Sequence, residues 1–413
     1  MVTAEQRRTL LAASLGWMLD SMDMMLYSMA LVAIRREMGI SASTSGLLIS
    51  VTLLSSAVGG VLFGLLADRI GRARALIGSI LVYSVFTAAC GLAQNVVQLA
   101  VFRLLLGLGV GGEWGTGAAL VSETWPAEHR AKALGLMQSS WAVGYALAAL
   151  VTAAVMPRFG WRAVFFVGVL PALVTVWIRR KVPEPEIWKR SSAECGMRSA
   201  ESSSSASRTP HSAFRSLFAV PLRRRTMVVT AMNAASMFGW WGLFTWIPGY
   251  LALPVSQGGR GLNILSTSKW ILLMQAGMWL GYVSFGFLAD SFGRKRAYIS
   301  YLLVAAALVP FYSLARSPEA VMLLGPFVAF FGTGYFTGFG AISSELFPTA
   351  VRGTAMGFAY NFGRGLSAMA PYTIGRLAES YGLGASFLIT SAAFLAAALI
   401  ALGLEETRGK RLE

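Results

Sequence analysis

Apolar and polar positions alternate along this chain on the scale of whole helices. Long apolar runs are separated by short polar clusters. Runs of about 20 residues match the hydrocarbon thickness of a bilayer, and twelve can be marked, at about 10–34, 45–67, 75–94, 97–122, 131–155, 161–179, 226–251, 267–289, 297–315, 319–344, 354–376 and 383–404. Six precede a Ser-, Pro- and Arg-rich stretch at 182–222, and six follow it. The pattern predicts an all-α membrane protein built from an N-terminal six-helix bundle (1–181), a cytoplasmic linker (182–222) and a C-terminal six-helix bundle (223–413).

The polar clusters repeat. Gly64-Leu65-Leu66-Ala67-Asp68-Arg69-Ile70-Gly71-Arg72 returns as Gly286-Phe287-Leu288-Ala289-Asp290-Ser291-Phe292-Gly293-Arg294, and 286 − 64 = 222. The same offset relates Glu123 and Arg130 to Glu345 and Arg352. Two motifs held in register over that distance mean that the chain is a duplication. Each Gly/Asp/Arg cluster sits where one apolar helix ends and the next begins. Its glycines permit close approach and a tight turn, and its acid can accept hydrogen bonds or pair with an arginine. A conformational hinge of Gly64, Asp68, Gly71, Arg72, Glu123 and Arg130, with Gly286, Asp290, Gly293, Arg294, Glu345 and Arg352 as its second copy, is the expectation. Loop arginines that only set topology would explain part of this cluster, but not the repeating Gly and Asp.

Composition agrees with the membrane reading. The 413 residues are 55% hydrophobic and 13% charged, against about 25% charged in soluble domains. A net charge of +16 would suggest nucleic acid in a soluble protein. Here 25 of the 35 Lys and Arg fall on the side of the two termini, seven fall opposite, and Arg103, Arg364 and Arg376 lie within runs. By the positive-inside rule both termini are cytoplasmic, and no nucleic-acid partner is needed. Cys90 and Cys195 imply no disulfide framework. The first apolar run is long enough to remain as a span. His129 and His211 fall in loops and no nucleophile–base set assembles, so neither an enzyme, a metal site nor a cofactor is expected.

Charges inside the apolar runs carry the chemistry, because an ionised group there costs several kcal/mol unless it meets a cavity or a partner. Asp20 and Asp23 share a helix face near mid-depth of the first run. Two acids on one face favour proton handling over a structural role. Gly107, Gly111 and Gly115 give the fourth run a smooth face for another helix. Arg103 needs an anion, and Glu113 lies close to the midplane. Arg364 has no repeat counterpart, since 364 − 222 = 142 is Ala; the duplication lost its symmetry by adding a cation. Asn361 and Tyr360 lie beside it in sequence. Gln138 and Trp141 share a face of the fifth run, while Ser139 and Ser140 can bond back to their own helix. Trp240, Gln275 and Tyr335 are further candidates for a cavity wall, and of Trp240 and Trp241 only one is expected to face it.

The paired pattern G-x-L-A-D-x-x-G-R resembles the loop signature of the major facilitator superfamily, departing from it at Ala73. Gly112-Glu113-Trp114-Gly115, Ser122-Glu123-Thr124-Trp125-Pro126, Gly160-Trp161-Arg162 and Pro183-Glu184 narrow the resemblance to the sialate:proton symporters and the neighbouring metabolite and aromatic-acid:proton symporters. The resemblance implies twelve helices in two pseudo-symmetric bundles, a midplane site and alternating access, in a monomer of the bacterial inner membrane. It implies a pairing of Asp23 with Arg103, as in related sugar porters. On these grounds the expected function is proton-coupled uptake of a small organic anion: a monocarboxylate, a sialic acid or an aromatic acid. Asp20, Asp23, Arg103 and Glu113 are assigned to coupling; Arg364, Asn361, Tyr360, Gln138, Trp141, Trp240, Gln275 and Tyr335 are assigned to the substrate. The alternatives are a neutral sugar:proton symporter and a proton-driven exporter.

Overall fold

A computed structural model describes residues 2–184, 215–315 and 317–407. Most of the linker, with Cys195 and His211, lies outside these residues, as do the side chains of Asp68 and Arg130. The first half contains α1 (Ala4–Met38), α2 (Ala42–Ile70), α3 (Arg72–Cys90), α4 (Val96–Thr124), α5 (Ala127–Val167) and α6 (Pro171–Lys181). The second contains α7 (Val220–Phe244), α8 (Ile247–Ala252), α9 (Ile264–Phe292), α10 (Arg294–Leu314), α11 (Pro318–Leu346), α12 (Thr349–Ser367), α13 (Met369–Ser386) and α14 (Leu388–Ala401).

The 222-residue offset runs far deeper than the motif loops. Ser41 and Asn263 cap α2 and α9, each side-chain oxygen accepting an N–H of the first turn. Asn95 and Ser317 do the same for α4 and α11. The turn glycines Gly71 and Gly293 sit at φ 111° and 103°, and Gly160 and Gly382 at φ 74° and 77°, where L side chains are strained. Interhelix contacts repeat too: Gly59 lies against the Leu108 carbonyl, and Gly281 against that of Phe330. The smooth face of α4 meets α2, with Gly107 against Thr52 and Ser55 and Gly111 against Ser56.

Twelve spans do not appear as twelve unbroken helices. Eight helices among the described residues are long and apolar enough to cross a bilayer, and one of these runs from Lys132 to Ile178 through two spans. It does so because Gly160 turns the chain without ending the helical hydrogen bonding of α5. Two prolines break other spans. Pro248 has no N–H for the Phe244 carbonyl four residues back, and the seventh span divides there into α7 and α8. The Tyr145 hydroxyl of α5 donates to that freed carbonyl at 2.9 Å. Pro371 stands in the same relation to Ser367, where α12 gives way to α13.

The two halves are pressed together at the end opposite the motif loops. Gly46 lies against the Pro371 backbone and Gly375 against the Ala42 carbonyl, contacts that no larger residue would allow. Glu379 accepts the Ser43 N–H at 2.9 Å, so the second half caps a helix of the first. Toward the motif end, Gly115, Gly340 and Gly357 face open space. The far end is thus tightly closed, while these three positions leave space on the motif side.

Candidate functional site

Between the halves lies a narrow cavity lined by Trp17, Gln138, Trp141, Met237, Trp240, Trp241, Tyr282, Phe336, Tyr360 and Arg364. Its aromatic walls pack on one another. Ring centroids of Trp17 and Trp141 are 4.7 Å apart, those of Trp240 and Trp241 also 4.7 Å, and Trp141 meets both of the latter edge-on at 5.7 and 6.1 Å. Trp240 and Trp241 therefore both face the cavity, against the expectation of one. Neighbouring helix positions diverge by about 100°, but an indole is wide enough to cover the difference.

Arg364 enters this aromatic box; it is 1% exposed, and among the described residues none of its three guanidinium nitrogens has a hydrogen-bond partner. Its guanidinium carbon lies 6.0 Å from the Trp241 ring centre. Asp20 and Glu113 of the other half feel its charge. Both are fully buried, and neither carboxylate has a hydrogen-bond partner among the described residues. Gly16 lies against Glu113, leaving no room for a side chain between α1 and α4.

The two acids of α1 serve different neighbourhoods. Three residues turn a helix by about 300°, so the carboxylates diverge by about 60°. Asp20 faces the bundle interface, while Asp23 accepts a bond from Thr87 of α3 at 2.9 Å. The pairing of Asp23 with Arg103 is not found. The Arg103 Nε donates to the Leu48 carbonyl at 3.1 Å, and the guanidinium lies 4.0 Å over the Tyr27 ring. A ring face and a carbonyl thus take the position where an anion was expected. Its two terminal nitrogens have no hydrogen-bond partner.

Three expected wall residues lie elsewhere. The Asn361 Nδ2 donates to the Gly357 carbonyl at 3.0 Å, and its side chain packs against Gly60 across the bundle interface. Tyr335 is buried behind the wall, donating to the Ser236 carbonyl at 2.8 Å. Gln275 is buried outside the cavity lining, its amide atoms without a hydrogen-bond partner. Ser139 and Ser140 bond back to Leu136 and Met137 of their own helix. Phe336, a cavity-capable aromatic of the tenth run, does line the wall, and Trp17, Met237 and Tyr282 are wall residues that the sequence reading passed over. Trp17 was detectable, one turn before Asp20.

The motif-end floor of the cavity comes from positions related by the repeat, since 336 − 114 = 222 and 360 − 138 = 222. Trp114 stacks on Tyr360 of the opposite half with centroids 4.0 Å apart and planes 8° off parallel. The Trp114 Nε1 donates to the Gln138 Oε1 at 3.2 Å. Trp114 is half-buried and the next residue, Gly115, is exposed. The stack thus bridges the two halves on the motif side of the cavity.

The motif loops repeat in three dimensions. Arg72 pairs with Glu123 at 3.0 Å, and Arg294 with Glu345 at 3.4 Å and with Asp290. The Arg352 Nε donates to the Ser344 and Phe347 carbonyls, closing the end of α11. Gly64 and Gly286 face open space, so they do not serve a close approach here. Gly71 and Gly293 do: a side chain at either would strike a carboxylate, of Glu184 and Glu406 respectively. Those carboxylates are again 222 residues apart and were not singled out as a pair from the sequence. Glu184 accepts the Ala73 and Arg74 N–H groups at 3.1 Å, and Glu406 accepts the Arg294 N–H at 2.8 Å. Each caps the helix that leaves its loop, where an acid is favoured.

Two packed bundles with a charged cavity between them and motif loops repeated in each half are the architecture of a membrane transporter. The sequence pattern of the Major Facilitator Superfamily matches residues 13–272 and 250–413. The chain belongs to that superfamily and is a multi-pass membrane transporter, not an enzyme. It is 31% identical to a putative metabolite transport protein of Haemophilus influenzae, covering 98% of each chain. It is 34% identical to a cis,cis-muconate transport protein of Acinetobacter baylyi, covering 94% of this chain and 92% of that one. Its fold resembles the partially occluded inward-open xylose transporter of E. coli, with a TM-score of 0.78, 20% identity, and 99% and 100% of the two chains covered.

Proposed function

We propose that the protein is a proton-coupled symporter for the uptake of a small, flat organic acid, working as a monomer in a bacterial inner membrane with both termini inside. The observation that carries this reading is Arg364, a buried guanidinium with all three nitrogens unpartnered inside an aromatic cavity. A guanidinium fork fits a carboxylate bidentately, and indole and phenol faces fit a planar π-system. A muconate carrier among the relatives agrees with a conjugated carboxylate as cargo. A neutral sugar would leave the cation unanswered, and a cationic drug would be repelled by it.

Coupling follows from the neighbours. The Arg364 charge acts on both Asp20 and Glu113. A substrate carboxylate on the guanidinium takes over that role, and a proton on the acid pair restores electrical balance before the halves rock. Asp23 and Arg103, set deeper in the first bundle, support this site from behind.

Uptake into proteoliposomes of labelled benzoate, lactate, N-acetylneuraminate and xylose, with and without an inward proton gradient, tests the proposal. Benzoate should accumulate only with the gradient. Arg364→Lys keeps the charge but loses the fork. It should weaken benzoate binding by about one to two orders of magnitude, from two charge-assisted bonds of about 1.5–3 kcal/mol each of which one survives. Rescue of Arg364→Ala by Glu113→Gln would instead make Arg364 a structural counter-ion. Gradient-independent accumulation would end the coupling scheme.

A further inference from the structure

The repeat allows the two seams between the halves to be compared position by position. On α2, Gly46 meets the Pro371 backbone and Gly60 meets Asn361, so the face that carries them packs on the second half. Leu53 lies midway between them and is fully buried. Seven residues turn a helix by about 700°, roughly 20° short of two full turns, so the three positions share that face. The repeat carries them onto α9, since 268 − 46, 275 − 53 and 282 − 60 all equal 222. They become Ser268, Gln275 and Tyr282, and α9 packs on α5 of the first half. Tyr282 lines the cavity with Gln138 and Trp141 of α5, whereas Leu273 and Leu280, on the opposite side of α9, are exposed.

The first seam is apolar, with Gly, Leu and Gly. The second is polar, and its groups are unanswered. Gln275 is 3% exposed, and among the described residues neither atom of its amide has a hydrogen-bond partner. The buried hydroxyls of Ser268 and of Thr267 beside it also lack one. Helical hydroxyls can return to their own backbone, as those of Ser139 and Ser140 do; these two do not. Polar atoms buried without partners are costly. An opening of the far end would give them partners.

We propose that Ser268, Gln275 and Tyr282 mark a polar passage from the far side to the cavity, and that the Gln275 amide is an outer binding point for the carboxyl group of the entering acid. Gln275 lies outside the cavity, about 10.5 Å along α9 from Tyr282 and away from the motif loops. Its NH2 group donates to a carboxylate oxygen, and its carbonyl accepts from water or from a protonated carboxyl. A neutral amide holds a carboxylate less firmly than a guanidinium fork does, so the acid passes inward to Arg364. This inference rests on the organic-acid reading of Arg364.

The test joins labelling to transport. In protein with Cys90 and Cys195 replaced by alanine, Ser268→Cys should be modified from the far side by a membrane-impermeant thiol reagent in right-side-out vesicles. Gln275→Leu introduces the residue found at the paired position 53, keeping the volume and removing the amide. It should lower kcat/KM for benzoate uptake about tenfold, with thermal stability equal or higher. Gln275→Asn keeps an amide on a shorter stem, and its loss should not exceed about threefold. Ser268→Cys left unmodified from the far side overturns the passage. Uptake within twofold of the parent in Gln275→Leu overturns the binding point. So does a fall in uptake matched by an equal fall in Ser268→Cys labelling, because the amide then only sets the conformational balance. If the parent accumulates none of the labelled acids, the Arg364 reading falls and the binding point with it, while the labelling still decides the passage.

Discussion

Trp114→Ala isolates the cavity floor as a gate. The substitution removes a near-parallel stack on Tyr360 at 4.0 Å, worth about 0.5–1.5 kcal/mol beyond buried area. It also removes the hydrogen bond to Gln138, a further 0.5–1.5 kcal/mol or so. The hydrogen bond stays within the first half and only orients the indole, whereas the stack joins opposite halves and must part when the motif end opens. Loss of the stack, about 0.5–1.5 kcal/mol, corresponds to a shift of roughly two- to tenfold toward the open floor, at about 1.4 kcal/mol per tenfold. A cysteine placed at Met237, on the cavity wall, reports this shift once Cys90 and Cys195 are replaced by alanine. Its rate of modification by a membrane-impermeant thiol reagent in inside-out vesicles should rise by that factor in Trp114→Ala. In Trp114→Phe, where only the hydrogen bond within the first half is lost and the stack is kept, the rate should stay within about twofold of the parent. A rate within twofold of the parent in the alanine variant, with thermal unfolding unchanged, would refute the gate.

Gly71→Ala and Gly293→Ala should each destabilise the purified protein by about 1–3 kcal/mol, from positive φ alone, with the carboxylate collisions added. Gly64→Ala, which meets open space, should be near neutral in the same thermal unfolding assay; equal losses at all three would contradict this account. Glu379 is held down to about 2 by the Ser43 N–H first, with the Ser43 hydroxyl, Arg376 and Ser41 adding to it. A depressed carboxyl stabilises the closed far end fully above the ordinary glutamate value and loses that contribution as pH falls toward 2. Glu379→Gln should therefore raise labelling from the far side most at pH 7 and less at pH 3, and a uniform effect across pH would remove Glu379 as a latch.

The sequence alone determined the architecture, and the reason is local. Bilayer thickness sets the length of each apolar run, and duplication holds the motifs at one offset, so helix count and pseudo-symmetry can be read without any tertiary contact. Buried charges are equally legible, because Arg364 or Glu113 in an apolar run is conspicuous wherever it points. Direction is what the sequence does not carry. Asn361 and Arg364 are three residues apart, yet one packs on Gly60 and the other enters the cavity. Asp20 and Asp23 part in the same way toward Arg364 and Thr87. Whether Arg103 meets an acid or the ring of Tyr27 depends on rotamers chosen by packing between helices distant in sequence. The Trp114–Tyr360 stack and the Glu379 cap join halves that share no local sequence, and only docking of the two bundles brings these groups within reach. The tertiary structure decided which of many apolar and polar side chains face the common cavity, because a helix face acquires a function only through the helix packed against it.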